Sequence, residues 1–390
     1  MKRFWYRSFG ALASLAFLSA ACGDSGGTGG SGAGGAAPSG GSIVFTASGE
    51  ALALGGYEFP YTEVGFVDGW EVKFTELLVT VDKLTLSENP DLDPGDQQKT
   101  GALVAQIDGP WAVDLHKGGP LTGKGGSDEQ AIELATIDKQ NKNGDKPFQA
   151  DARYAFGFDL VPATASAKLL NLDEQGKADY AEMQQKGYTV LYVGTATFKG
   201  TGCVPADPVF DKLPKVVNFR LGFKAPSTYV NCQNPDNDPA KPFGAEEHQR
   251  GIVVRANQAV TAQVTIHTDH PFWDTFAHDA SPHFDAIAAR YVGVAGTPTA
   301  LLEDMKGVDF TGFTDKEGTA LPWRSCSKDY VPPDMGTMHF DSTGVPVDPA
   351  GDPSKALRDY HDFMTYGLST MGHLNADGLC FTKRNYPSPP

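Results

Sequence analysis

Alternating hydrophobic and polar positions, interrupted by Gly, Pro, Asn or Asp every few residues, dominate the chain between about residues 42 and 270. Short segments of this kind are typical of β-strands joined by tight turns. The clearest examples are WEVKFTELLVTVDKLTL, RYAFGFDLV, YTVLYVGTATF and IVVRANQAVTAQVTIHT, the last with a predicted turn at residues 256–258 between two paired strands. The pattern therefore predicts a mainly β fold, with an antiparallel β-sandwich or jelly-roll-like domain over residues 42–281.

Helical spacing replaces this alternation in three places. The segment QGKADYAEMQQKG, residues 175–187, predicts a helix between strands. Ser281 followed by Pro282 is a typical helix start, with the hydroxyl as cap and the proline at the first helical position. A longer helix is predicted over residues 353–374, because apolar side chains recur there every three or four positions. Residues 282–390 are thus expected to form a helical and loop-rich C-terminal lobe packed on the β domain.

The N-terminus has the pattern of an export signal. Three basic residues precede an apolar run over residues 9–18, and small residues follow it up to Cys22. The segment LSAAC, residues 18–22, resembles the lipobox of bacterial lipoproteins, in which the signal peptide is cut before a cysteine that carries the lipid. The resemblance implies a signal peptide over residues 1–21 and a membrane anchor of acyl chains, such as palmitate, on Cys22. An ordinary secretory cleavage near the same point is the alternative.

Almost pure Gly, Ser and Ala follow Cys22, so residues 22–41 are predicted to be a lipidated cysteine with a flexible tether. Residue 23 is Gly, whereas an Asp at this position retains lipoproteins of some two-membrane bacteria in the inner membrane. The resemblance therefore implies a lipid-anchored protein of the cell envelope, located at the outer membrane and facing either the periplasm or the surface.

The composition is strongly acidic. The chain carries 32 basic and 48 acidic residues, and without residues 1–21 the balance is 29 against 48, a net charge of about −19. Nucleic acid is not an expected partner, since its binding depends on clustered Lys and Arg. Cations are the natural small partners of so acidic a surface.

Four cysteines remain when Cys22 is set aside, and an exported protein is expected to pair them in two disulfides. Three pairings are open. We favour Cys203 with Cys232 and Cys326 with Cys380, because each pair flanks one loop-rich region.

The most informative motif is TIHTDHPFWDTFAHDASPHFD, residues 265–285, which holds four of the nine histidines. Ligands from a strand end, a loop and a helix start can meet around one ion, and neutral imidazoles with a carboxylate suit zinc or copper better than calcium. In the alternative interpretation, these side chains bond loop carbonyls while the aromatic residues pack the loop onto a sheet. The candidate metal ligands are His267, His270, His278, His283, Asp269 and Asp279.

Other clusters support weaker hypotheses. Met335, Met338 and His339 lie close together in sequence, and a thioether–imidazole mixture favours copper(I), although methionine commonly fills cores. The acidic turns at residues 89–96 and 234–239 offer oxygen ligands for calcium. His361 and His373 would both lie on the predicted long helix, 120° apart around its axis, and would not share a face.

Three functions remain open. The leading hypothesis is a lipid-anchored extracytoplasmic binding protein that holds a transition metal in the histidine-rich segment. The second is a zinc-dependent hydrolase that uses the same histidines, with an Asp or Glu as general base. The third is a structural surface lipoprotein without a ligand. A serine hydrolase is not indicated, because no G-x-S-x-G segment lies at a predicted strand-to-helix turn: GDSGG, residues 23–27, falls in the predicted tether, and GLSTMG, residues 367–372, has the wrong spacing.

Overall fold

Strands make up most of the regular structure. The computed structural model describes residues 40–237, 243–244, 246–277, 280–343 and 357–386. The strands in this part of the chain are β1 Ser42–Ser48, β2 Trp70–Ser87, β3 Leu103–Ile107, β4 Trp111–Asp114, β5 Leu121–Thr122, β6 Gln130–Ile137, β7 Lys139–Gln140, β8 Lys146–Pro147, β9 Arg153–Leu160, β10 Lys168–Leu169, β11 Val190–Phe198, β12 Val216–Phe223, β13 Ser227–Val230, β14 Ile252–Val253, β15 Ala259–Ile266, β16 Thr299–Leu301, β17 Gly372–Leu374, β18 Gly378–Leu379 and β19 Phe381–Arg384. The α-helices are α1 Glu50–Gly55, α2 Glu174–Lys186, α3 Asp285–Ala288 and α4 Tyr360–Ser369.

The strands form two main sheets. The smaller has the order β18-β17-β15-β1-β6-β5, and the larger follows β16-β12-β11-β2-β9-β13-β19, with β3, β4, β10 and β14 attached beside this path. Strands β7 and β8 pair separately. The predicted mainly β, sandwich-like fold is confirmed. Most pairs are antiparallel, but β1 and β15 run parallel, which the alternating pattern does not reveal.

The two sheets share one hydrophobic core. Strand β1 contributes Ile43, Phe45 and Ala47 to it, and the Phe45 ring stacks on Phe156 of the larger sheet with centroids 5.7 Å apart. Residues beyond 282 contribute to both sheets, since β17 and β18 belong to the smaller one and β16 and β19 to the larger. Residues 38–390 accordingly form one compact unit.

The helices agree only partly with the sequence pattern. Helix α2 forms as expected, with Asp173 accepting the N–H of Gly176 at its start and Gly187 in left-handed conformation at its end. The predicted start at Ser281 is wrong, because α3 begins at Asp285. Asp68 Oδ2, from a distant segment, accepts the N–H groups of Phe284 and Asp285 there, each at 2.7 Å.

The predicted long C-terminal helix is also wrong in extent. Helix α4 covers Tyr360–Ser369, and the chain then turns into strand β17. The first four residues of the predicted helix, 353–356, lie outside the described residues. None of the described helices has the length and apolar character needed to cross a bilayer.

The two disulfides differ from the favoured pairing. Cys203 is bonded to Cys326 and Cys232 to Cys380, at sequence separations of 123 and 148. Strand pairing explains both, since Val204 and Ser325 exchange backbone hydrogen bonds beside the first bond. Strand β13, which ends two residues before Cys232, pairs with β19 beside the second. The turn near Asn257 exists, but β14 pairs with β9 and β15 with β1, so the predicted hairpin is wrong.

Helix α2 packs on the larger sheet over a second small apolar cluster that includes Leu78, Tyr180 and Met183. An ionic group borders this cluster, in which Arg220 donates to Asp179 and Glu182. Glu76 of β2 is only 3% exposed, and burial together with the neighbouring Asp179 carboxylate raises its pKa from 4.5 to about 8. Glu76 is therefore protonated in the folded protein at neutral pH.

Replacing Glu76 with Gln should change how stability depends on pH. The unfolded chain loses the Glu76 proton near pH 4.5 and the folded one near pH 8, so folding takes up a proton in this window and wild-type stability declines as pH rises through it. Gln stays neutral, so we expect the variant to gain at least about 1 kcal/mol relative to wild type between pH 4.5 and 8. Urea unfolding of both proteins at the two pH values measures this, and an unchanged difference would contradict it.

Candidate metal centre

The parallel pairing of β1 with β15 places two polar side chains at one edge of the smaller sheet. Ser48 at the end of β1 lies opposite Thr265 near the end of β15, and both strands run the same way. His267 directly follows β15, and Glu50, the first residue of helix α1, follows β1 after Gly49, so both lie just beyond the ends of the paired strands. His267 Nε2 lies 3.7 Å from Glu50 Oε1.

A third strand brings a second histidine to this edge. Strand β17 runs antiparallel to β15 with His373 opposite Thr265, so His373 points to the same face as Thr265 and His267. The His267 and His373 rings stack with centroids 4.2 Å apart and planes 19° from parallel. His373 is 5% exposed.

His270 completes the group from a different element, a single 3₁₀ turn over His270–Phe272 that packs on α4. Gly367 of α4 makes this packing close, since a Cβ added there would lie 2.5 Å from the His270 carbonyl oxygen. The His270 ring packs on the indole of Trp273, with centroids 3.7 Å apart. The three histidines each offer a ring nitrogen, and these nitrogens lie within 4.8 Å of one another.

Hydrogen bonds assign the protons on all three rings. Thr370 Oγ1 donates to Gly367 O and therefore accepts at 2.8 Å from Nδ1–H of His270, which leaves the lone pair on Nε2. The carbonyl of Thr370 accepts from Nε2–H of His373, and the carbonyl of Ala376 accepts from Nε2–H of His267, both at 3.2 Å. Each ring thus has an oxygen acceptor for one of its nitrogens, as metal-ligating histidines do.

The buried lone pair of His270 is the least satisfied atom of the group. His270 is 3% exposed, and its Nε2 has no hydrogen-bond partner among the described residues. Burial and the neighbouring His267 and His373 hold its pKa well below the ordinary 6.5, so the ring is neutral. A neutral imidazole is the form that binds a metal ion.

The solvent-facing side of the group is acidic. Burial opposes a charge on His267, but the Glu50 and Asp269 carboxylates outweigh it and raise the pKa of that ring. Burial raises the pKa of Glu50 from 4.5 to about 7, against the opposing effect of His267. Asp377, 70% exposed, lies 4.0 Å from His267 Nε2, and these two residues with Glu50 form a second group of closely spaced ligand atoms.

The predicted ligands divide between this group and other places. His267 and His270 lie in it. Asp269 raises the pKa of His267, but its carboxylate is not among the closely spaced ligand groups of the described chain. His278 and Asp279 lie outside the described residues. Sequence reasoning missed His373 because it assigned this residue to the predicted long helix rather than to a strand. Gly372 before it and the turn-forming NADG after it were the sequence signals for a strand and turn.

The structure places His283 elsewhere. The segment folds back on itself, with a bridge between Trp273 and Pro282 and a 2.8 Å bond from His283 N to Phe272 O. The fully buried His283 ring lies between Asp274, at 3.3 Å, and Asp68, at 3.8 Å. The predicted convergence of His283 with His267 and His270 is therefore wrong.

The weaker hypotheses fare differently. Met338 is fully buried in the core whereas Met335 is 86% exposed, so the predicted methionine–histidine cluster for copper(I) does not form. In the turn at residues 89–96, Asp91 pairs with Arg153, and Asp93 and Asp96 with Lys99, so basic groups already occupy the oxygens proposed for calcium. In the other turn Asp236 pairs with Lys124, and residues 238–239 lie outside the described residues.

Comparison with known proteins adds nothing to this geometry, since no family model, no curated protein and no solved structure matches the chain.

Replacing Gly367 with Ala should disturb the site through the backbone of His270. The new methyl group would lie 2.5 Å from the His270 carbonyl oxygen, and we expect a loss of about 1–3 kcal/mol in the free energy of unfolding. Gly55→Ala is the matched control, because Gly55 is also helical and nothing lies within 4 Å of the added Cβ. Thermal unfolding compares the two variants, and equal stabilities would contradict the close approach.

Proposed function

We propose that this protein is a lipid-anchored extracytoplasmic binding protein that holds a zinc or copper ion between His267, His270 and His373. The observation that carries the proposal is the convergence of three imidazoles from separate elements, each with its second nitrogen held by an oxygen acceptor. A structural surface protein without a ligand has no need for the buried, unpartnered Nε2 of His270.

The donor set supports zinc or copper. Three neutral imidazoles are typical of zinc sites with an open fourth position, and imidazole also suits copper. Hard cations such as calcium prefer oxygen ligands, and the closely spaced carboxylates in the described part of this site, Glu50 and Asp377, lie beside His267. Glu50 or a water molecule would complete the coordination.

The cellular location rests on the sequence alone. The proposed signal peptide, Cys22 and all but the last two residues of the proposed tether lie outside the described residues. Two disulfides are in keeping with an oxidising compartment such as the periplasm or cell surface. The acyl chains on Cys22 are the proposed contact with the outer membrane, and the acidic charge argues against a nucleic-acid partner.

Metal content should depend on the three histidines. We expect about one zinc or copper ion per chain after reconstitution and dialysis, and none in His270→Ala or His373→Ala. Thr370→Val removes the acceptor of His270 Nδ1–H, together with the hydroxyl donation to Gly367 O, and should weaken binding about 10- to 100-fold without abolishing it. Mass spectrometry gives the metal content, and competition with a chelator gives the affinities.

His248→Ala is the control, since His248 belongs to none of the closely spaced ligand groups of the described chain. It should bind metal like the wild type. A folded wild-type protein that takes up neither zinc nor copper, with histidine variants that lose only stability, would overturn the proposal in favour of a structural surface protein.

One observation favours a second function, that of a zinc-dependent hydrolase. Glu50 is a carboxylate beside the histidines whose pKa of about 7 is suited to a general base, and it is 23% exposed, so that substrate could reach it. Bound zinc would lower the pKa of a water molecule at its open position. Glu50 would then accept the proton of that water as it attacks an acyl carbon.

Glu50→Gln separates the two functions. For a hydrolase we expect kcat for 4-nitrophenyl acetate to fall at least about 100-fold in this variant, with metal content unchanged, because the amide cannot accept the proton. Asp377→Asn alters a more exposed neighbour of His267 and should retain most of the activity. A zinc-loaded wild type no faster than free zinc would exclude the hydrolase and leave the binding protein.

A further inference from the structure

A groove of about 880 Å³ opens on another part of the surface. Its floor includes Trp323 and Phe340, and its sides come from loops around Tyr330 and Asp341. Its size is that of a small-molecule site. None of the residues placed in the metal centre lines it, although Asp274 on its wall follows Trp273 directly.

The charged side chains that line the groove are mainly acidic. Asp274, Asp329 and Asp341 line it, whereas no Lys or Arg is among its described lining residues and His339 is its one basic side chain. The N–H and hydroxyl groups of Thr343 donate to Asp341 and lower the pKa of its carboxyl, so it stays anionic. The groove thus offers a negative potential to a ligand.

Asp274 is held rigidly at the wall. Its Oδ1 accepts the N–H of Ser281 at 3.0 Å, and its Oδ2 lies 3.3 Å from Nε2 of the buried His283. Its carbonyl accepts the N–H of Asp341 at 2.8 Å, which ties two of the three carboxylate-bearing residues together. Both carboxylate oxygens of Asp274 are therefore occupied, and its backbone holds Asp341 in place, so that the Asp341 carboxylate needs little further ordering to bind a ligand.

A second, independent feature points to a ligand. Trp323 lines the groove, is 2% exposed, and its indole Nε1 has no hydrogen-bond partner among the described residues. An unsatisfied buried N–H calls for an acceptor. The groove therefore combines anionic acceptors with a donor and aromatic walls.

We infer that this groove binds an organic ammonium ion that also carries hydroxyl groups, the chemical class of amino alcohols and amino sugars. The carboxylates of Asp329 and Asp341 bind the ammonium group and donated hydroxyls. A ligand hydroxyl oxygen accepts from Trp323 Nε1–H. The aromatic walls cover the apolar part of the ligand and favour the cation over an anion.

Glucosamine and glucose are suitable probes, since they differ only by an ammonium group in place of one hydroxyl. Calorimetry on the full mature chain, free of added metal, should show saturable glucosamine binding and at least 10-fold weaker binding of glucose. Raising the salt from 50 to 500 mM should weaken glucosamine several-fold, because the attraction is electrostatic. Equal binding of the two sugars, or binding of neither, would overturn the inference.

The matched variants are Asp341→Asn and Asp309→Asn. Both aspartates accept the N–H and hydroxyl of the threonine two residues later, at 2.8 and 2.7 Å, but only Asp341 lines the groove. We expect glucosamine affinity to fall three- to tenfold in Asp341→Asn and to remain unchanged in Asp309→Asn. Equal affinities in the two variants would contradict binding in this groove.

Discussion

The parallel register between β1 and β15 is the constraint on which the metal centre depends. Burial sets that register, since Phe45 of β1 and Val264 of β15 face the core while Ser48 and Thr265 face the opposite side. A slip of one residue would exchange the two faces of a strand. The register that builds the apolar core therefore also brings Glu50, at the start of α1, beside His267 at the end of the sheet.

A chain of buried polar side chains supports the same edge. On the polar face of β15, the side-chain amide of Gln263 donates to Glu129, and its backbone N–H donates to Asn375 Oδ1. Thr265 Oγ1 accepts the N–H of Ala376. Ala376 in turn accepts from His267. Buried polar groups need partners, so these bonds fix the turn after β17 relative to β15 and with it the orientation of the His267 ring.

Local signals in the sequence were sufficient for the strands, for helix α2 and for two of the three clustered histidines. His267 and His270 were identifiable because they are neighbours in a histidine-rich segment. His373 lies about a hundred residues away, and only the pairing of β17 with β15 brings it to them. The favoured disulfide pairing was wrong for the same reason, since Cys203 meets Cys326 through strand pairing that the spacing of cysteines along the chain does not reveal.

The histidine-rich segment meets two separate structural requirements. In its first part, up to Trp273, His267 and His270 meet His373 of β17. From Asp274 the chain reverses, so that Asp274 and His283 form a buried ionic group behind the groove. The sequence suggested one site formed by four histidines, but the reversal of the chain places His283 beside Asp274, away from the metal centre. Clustering in sequence therefore marked a chemically important segment, while the backbone path determined which of its side chains act together.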